Sequence, residues 1–134
     1  MSTDWIALAA RSEFLRRLFP ESPPLQGVRI LEVGFHEDGS RVMLRFNLNA
    51  FPRNPPRKWA HADDNTVQVR LAGLEVEELE MRGWTTLNLA DIRLEPSSGS
   101  RVVLSARAEG FFLRCSVSSL YIEQVSAYQQ VQED

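Results

Sequence analysis

Residues 28–48 read VRILEVGFHEDGSRVMLRFNL, and this stretch decides the fold. Apolar side chains alternate with polar ones over residues 42–48, which is the period-two pattern of a half-buried strand. Residues 28–35 carry apolar side chains on both faces and therefore predict a central strand. The turn-forming residues 37–40 lie between the two runs, where Gly39 can supply a positive φ. The stretch as a whole predicts a β-hairpin.

Further runs of alternating apolar residues follow the hairpin, and short turns join most of them. The alternation shifts between Val76 and Leu79, which predicts a bulge near Glu77 and Glu78. Together the runs predict an α+β fold of mostly antiparallel β structure, with one N-terminal helix packed on a seven- or eight-stranded sheet or sandwich. One bent sheet and two packed sheets both fit this pattern. The later runs lie at 67–71, 74–81, 87–94, 101–108, 111–117 and 120–128.

The segment before the hairpin has helical spacing and predicts a helix over about residues 3–19. Ser2 or Thr3 is the expected cap, and Pro20 ends the helix because the residue before a proline avoids the α region. Arg11 projects near the middle of the apolar face, where its stem can lie along the edge of the core. The residues of that face are Leu8, Leu15, Leu18 and Phe19.

The 134 residues fit one domain, with a β-rich body at about 27–128 and a polar tail at 129–134. A net charge of −3 gives no broad basic face for nucleic acid. The single cysteine, Cys115, cannot form an internal disulfide and fits a reducing compartment. We find neither a secretory signal nor an apolar run long enough to span a membrane, so the expected location is the cytoplasm.

Residues that carry metal, nucleophilic or phosphate chemistry do not form recognisable motifs here. The two histidines, His36 and His61, and the cysteine lack the spacing of a zinc site, so we expect no metal and no cofactor. Cys115 occupies an apolar-face position, which is typical of a buried structural thiol. A weak cation site at the turn beside His36 and hydrolysis by dispersed carboxylates stay open as alternatives. The sequence therefore predicts a protein that is not an enzyme.

Two features are candidates for binding a partner, and the first is a run of glutamates. Alternation turns most of their carboxylates toward solvent on one side of a strand, where like charges repel slightly. Such a stripe would attract a basic partner and speed its association. It also fits a solubilising edge that prevents aggregation. The residues are Glu75, Glu77, Glu78 and Glu80.

The second candidate is the long proline-containing loop at 51–65. Prolines stiffen it, and its cations and tryptophan offer contact area. Either the tryptophan is an exposed anchor for a partner, or it pins the loop to the core with solvated charges around it. Trp84, at a later turn after Gly83, is expected to pack into the core. The binding candidates of the loop are Arg53, Arg57, Lys58 and Trp59.

Several elements form a combination that covers nearly the whole chain. They are Leu18-Phe19-Pro20 with Pro24-Leu25, the hairpin, Pro52, Pro55-Pro56-Arg57-Lys58-Trp59 and Gly83-Trp84. This combination resembles the immunity protein 50 family of bacterial polymorphic toxin systems. The resemblance implies an intracellular protein that binds and neutralises a cognate toxin domain, and a basic toxin would suit the acidic stripe. No catalytic residues are carried over from the family.

Other functions stay open on the residues alone. Curved strands can enclose an apolar pocket, so a carrier of small apolar ligands is the main alternative. An assembly component that associates through a sheet edge is another. The expected partner is a toxin domain, with neither nucleic acid nor a membrane involved, and the expected oligomeric state is a monomer or weak homodimer.

Overall fold

The computed structural model describes residues 4–130. The predicted cap at Ser2 or Thr3 and the end of the predicted tail, residues 131–134, lie outside the described residues. Within them, the helices are α1 (Glu13–Leu18) and α2 (Arg57–His61), and short 3₁₀ turns lie at Trp5–Leu8, Asp38–Ser40 and Ser98–Ser100. The strands are β1 (Ala9–Ala10), β2 (Val28–His36), β3 (Arg41–Asn47), β4 (Thr66–Leu74), β5 (Glu77–Arg82), β6 (Asn88–Pro96), β7 (Val102–Ala108), β8 (Phe111–Val117) and β9 (Ser119–Tyr128).

The strands of residues 4–130 form one sheet in the order β1-β9-β4-β3-β2-β6-β7-β8-β5. The pairing of β1 with β9 is parallel, and the other pairings are antiparallel. Strand β6 joins two halves of the sheet. Its residues 88–90 pair with β2 in the half formed by β1, β9, β4, β3 and β2, and its residues 91–96 pair with β7 in the half formed by β7, β8 and β5. The sheet is therefore continuous and mixed, with nine strands instead of the expected seven or eight.

The predicted hairpin is confirmed as the pairing of β2 with β3, which runs from His36 and Arg41 at the turn to Arg29 and Asn47. Gly39 has a φ of 71° in the connecting turn, as the turn sequence requires. The predicted bulge in the acidic run is also confirmed, since the register of β5 against β8 shifts between Glu77 and Glu80. Local alternation and turn chemistry were sufficient to predict these elements.

The helix predicted over residues 3–19 is present only in part, as α1 at Glu13–Leu18. A 3₁₀ turn at Trp5–Leu8 leads into β1, and α1 begins only at Glu13. Ala9 and Ala10 pair with Leu120 and Tyr121 of β9, and Arg11 then takes a φ of 57° that interrupts any helix. Pairing with a distant strand has overridden the local helical spacing. No helix within residues 4–130 has the length and apolar character needed to cross a membrane.

The core fills the space between the two halves of the sheet with aliphatic and aromatic side chains. Strand β6 shows how the sequence produces it, because its buried and exposed residues alternate from Asn88 to Glu95. Gly73 of β4 lies against Val117 of β8, so the halves also meet where those two strands end. The largest side chains with at most 2% exposure include Phe46, Ile6, Leu15, Ile30, Leu44, Leu71, Leu104 and Leu113.

Candidate functional site

The acidic run forms a free edge of the sheet. Among residues 4–130, strand β5 pairs only with β8, and the side chains of the four glutamates are exposed. Glu77 and Glu80 are paired with outward-facing residues of β8, so their carboxylates lie on the outer face, away from the core. Glu75 and Glu78 have φ values of 56° and 54°, because one lies in the connection from β4 and the other at the bulge. The stripe is therefore irregular, with two of its four carboxylates on a common face.

Arg101 holds the beginning of the acidic strand in place. Its guanidinium donates to the Glu75 carbonyl oxygen at 2.6 Å and to Ser116 Oγ at 2.7 Å, and it lies 3.7 Å from a Glu77 carboxylate oxygen. Glu77 is 66% exposed, so this ion pair adds little stability. Within residues 4–130, Glu78 and Glu80 form no ion pair, and their carboxylates are open to a partner's cations.

The tryptophan of the proline-containing loop packs inward. Trp59 lies on the short helix α2 and is only 9% exposed, with its ring edge-to-face on Phe14 at 5.8 Å and tilted against Phe51 at 6.2 Å. The loop is thus pinned to the core, and Trp59 offers a partner little surface. The cations Arg53, Arg57 and Lys58 are exposed around it.

The acidic and cationic candidates lie far apart. Helix α2 comes before β4 begins at Thr66, whereas Glu75 follows the end of β4 at Leu74. A nine-residue strand spans roughly 27 Å at about 3.3 Å per residue, so the structure places the two groups at opposite ends of that strand. A single small partner epitope would therefore contact one group or the other.

The outer face of β6, β7 and β8 carries a third surface, which the sequence alone does not indicate. Cross-strand register places Arg93, Ser105 and Arg114 side by side on this face. Arg107 lies further along β7, and the three arginines line a depression of about 600 Å³. These residues come from three separate runs of the sequence, and only the register brings them together. We refer to Arg82, Arg93, Arg107 and Arg114 as the arginine face.

Three arginines on the other half of the sheet, Arg41, Arg45 and Arg70, form ion pairs within the chain. Glu32 accepts from Arg45 Nε at 3.0 Å and lies 3.4 Å from Arg70, while Glu123 pairs with Arg41. The hydrogen bond from Arg45 is the main cause that holds the pKa of Glu32 below its usual value. The network thus engages three arginines with two glutamates, and the buried Nε of Arg70 has no hydrogen-bond partner within residues 4–130.

The side chains that could carry chemistry are dispersed. Cys115 is 1% exposed, and burial raises the pKa of its thiol to about 11, so the reactive thiolate is disfavoured at neutral pH. His36 ends β2 and His61 ends α2, both exposed. Among the described residues, no three His, Cys, Asp or Glu side chains gather as ligands for a metal ion.

Exposed apolar side chains cluster near the turn between β5 and β6. Trp84 packs edge-to-face on Phe111 at 5.2 Å but is 46% exposed, so the expectation that it packs into the core is wrong. Leu87 and Leu89 are 53% and 52% exposed. A depression of about 470 Å³ beside Trp84 is also lined by the apolar Ile30 and Leu31 and by the polar Arg29, two threonines and Asn88. Its mixed lining does not favour a carrier of apolar ligands.

Comparison with known proteins places the chain in a protein family. The family model described as Immunity protein 50 matches residues 11–128, which is most of the chain. The comparisons with curated proteins and with solved structures found no match. On the evidence of the family model, the chain belongs to the immunity protein 50 family.

Proposed function

We propose that this chain neutralises a cognate toxin domain by binding it, without catalysis of its own. The observation that carries the proposal is the family match over residues 11–128. The dispersed histidines and the buried thiol agree with a role in binding. A rigid sheet that displays charged strips supplies a fixed surface, which limits the entropy lost on association.

The acidic edge strand supports a toxin with a basic patch. Glu78 and Glu80 are exposed, and neither is engaged in an ion pair within residues 4–130. Charges of this kind accelerate the encounter of oppositely charged partners, while affinity comes from a few central anchors. The exposed cations Arg53, Arg57 and Lys58 are a second proposed contact, and Trp59 would support that contact by holding the loop.

Binding would neutralise the toxin by covering its active site or by holding it in an inactive conformation. Either route consumes one immunity protein for each toxin molecule. An enzyme that used dispersed carboxylates to destroy the toxin would turn over, so one molecule of it would inactivate many toxin molecules. The stoichiometry of protection therefore separates binding from catalysis.

The test is to co-express the chain with the toxin domain encoded beside its gene and to measure cell survival. Purified proteins are then mixed, and the complex is sized and titrated by calorimetry. We expect survival, a stable complex and loss of toxin activity at equimolar ratio. A toxin from an unrelated system is the matched control, and it should stay active. Cell death without complex formation would refute the proposal, as would toxin inactivation at a small fraction of equimolar.

A further inference from the structure

We propose that the arginine face receives carboxylates of the toxin domain and forms the central contact of the complex. This inference rests on the proposed function, because it names the surface by which the toxin is bound. It concerns the outer face of β6, β7, β8 and β5, and it assigns that face an acidic epitope on the partner.

The first observation is that these arginines lack partners inside the chain. Within residues 4–130, Arg82, Arg93, Arg107 and Arg114 form no ion pair within 4 Å, although Glu80 faces Arg114 and Asp91 faces Arg107 across the strand pairs. On the other half of the sheet, Arg41, Arg45 and Arg70 are engaged with Glu32 and Glu123. The four guanidinium groups of the arginine face therefore keep hydrogen-bond donors for the carboxylates of an acidic partner.

The second observation is that an aromatic ring orders the arginines. Phe112 is half-buried, and the guanidinium carbons of Arg82 and Arg107 lie 5.1 and 5.0 Å from its ring centroid. Cation–π contacts hold the flat guanidinium groups against the ring and reduce the entropy they lose on binding. Arginine and aromatic side chains are also the residue types that dominate binding energy at protein interfaces.

The third observation is the shape of the surface. The small side chain of Ser105 lies between Arg93 and Arg114 in neighbouring strands, which are about 4.8 Å apart. The depression of about 600 Å³ opens above these residues and has room for a side chain of the partner. A carboxylate inserted there can accept paired hydrogen bonds from the forked donors of arginine.

The surrounding charges favour a protein partner over nucleic acid. Asp91 and Glu95 line the same depression, and Glu80 borders it on β5. A continuous chain of phosphates would pass close to these carboxylates, and the whole chain carries a net charge of −3. A protein can present carboxylates to the arginines and cations to the neighbouring glutamates, so the mixed pattern also fixes its orientation.

The experiment measures the dissociation constant of the wild-type chain and of charge-reversed variants with the purified toxin domain. The test variants are Arg93→Glu and Arg114→Glu, with Arg114→Gln as a neutral version. The matched control is Arg11→Glu, since Arg11 is also exposed, lies over the Tyr121 ring at 5.4 Å and forms no ion pair within residues 4–130. Thermal unfolding of each variant checks that the fold is kept.

We expect each reversal to weaken binding by at least about thirtyfold and the neutral variant by less, with the control within about twofold. Toxin variants with single Asp or Glu residues changed to Arg should include one that restores binding to Arg114→Glu. If the wild-type chain binds the toxin and the reversed variants bind equally well, the arginine face is refuted while the proposed function stands. If the wild-type chain binds no toxin, the proposed function and the role of the arginine face are both refuted.

A second assay uses fluorescence anisotropy with a labelled single strand and a duplex of DNA. We expect no binding of either probe at physiological salt. Binding that Arg93→Glu and Arg114→Glu abolish would show that the arginine face recognises phosphates, and it would overturn the assignment to toxin carboxylates.

Discussion

Gly73 of β4 lies so close to Val117 of β8 that a Cβ atom on Gly73 would come within 2.7 Å of Val117 Cγ1. Val117 is fully buried, and the two residues belong to opposite halves of the sheet. A side chain at position 73 would push the halves apart where they meet. Glycine is therefore required here by space, since only a hydrogen atom fits against the valine.

Gly73→Ala should destabilise the protein by about 1–3 kcal/mol, because the added methyl group overpacks the core. Urea unfolding at pH 7 measures this free energy. Val117→Ala also costs stability by leaving a cavity, but combined with Gly73→Ala it makes room for the methyl group. The double variant should be less destabilised than the sum of the single ones. Simple additivity would show that these residues do not clash.

Trp59→Ala should lower the free energy of unfolding by about 3–5 kcal/mol, since the indole packs on Phe14 and Phe51. Lys58→Ala, one residue away and exposed, should change it by less than about 0.5 kcal/mol. Thermal and urea unfolding of both variants give the comparison. A stable Trp59→Ala protein that no longer binds toxin would instead make Trp59 a direct contact.

The thiol of Cys115 should resist alkylation in the native state at pH 8 and react once the chain is unfolded in urea. Burial raises its pKa from 9.0 to about 11, so folding favours the protonated thiol. The stability that results is fully present below pH 9 and is lost as the pH rises toward 11, by at most about 1.4 kcal/mol per pH unit. Unfolding measured from pH 8 to pH 11 should show this decline in the wild type and a smaller one in Cys115→Ala.

Acid should weaken the ion-pair network of Glu32. Its pKa is lowered chiefly by the hydrogen bond from Arg45, so its contribution is present above pH 4.5 and is lost as the pH falls below that value. The Glu32 side chain is 43% exposed, and solvent screening keeps the contribution under about 1 kcal/mol. Glu32→Gln should reduce the loss of stability between pH 5 and pH 3, whereas Glu109→Gln, at an exposed turn, should leave it unchanged.

Neutralising the acidic edge with Glu78→Gln and Glu80→Gln should slow association with a basic toxin several-fold at low salt. The effect should fade as salt screens the charges, and the dissociation rate should change little. Stopped-flow or surface plasmon resonance measurements over a range of salt concentrations give both rates. Glu13→Gln, an exposed glutamate on α1, is the control. Unchanged association at every salt concentration would remove the acidic edge from the proposed interface.

The sequence predicted the elements that local chemistry determines. Alternation and turn residues were enough to predict the β2–β3 hairpin, the last three strands of the chain (β7, β8 and β9) and the bulge after Glu77. They were insufficient at Ala9 and Ala10, where pairing with β9 outweighs the helical spacing. Long-range pairing of this kind has no signal in a short window of sequence.

The arginine face shows the same limit for the candidate site. Arg93, Arg107 and Arg114 each occupy an outward position of an alternating strand, which the sequence alone could show. Their meeting around Ser105 depends on which strands are neighbours and in what register, and a one-residue slip would turn each side chain inward. Trp59 shows a related limit, because the sequence fits both a surface anchor and a loop pinned to the core, and the packing of Trp59 on Phe14 and Phe51 favours the pinned loop.

The place of β9 between β1 and β4 has a consequence for how the molecule forms. Ala9 pairs with Leu120, which lies more than a hundred residues later in the chain, and Val69 pairs with Val125. Such distant contacts make folding slow, and they cannot form while the ribosome still holds residues 119–128. The finished sheet can therefore form only after β9 has been synthesised.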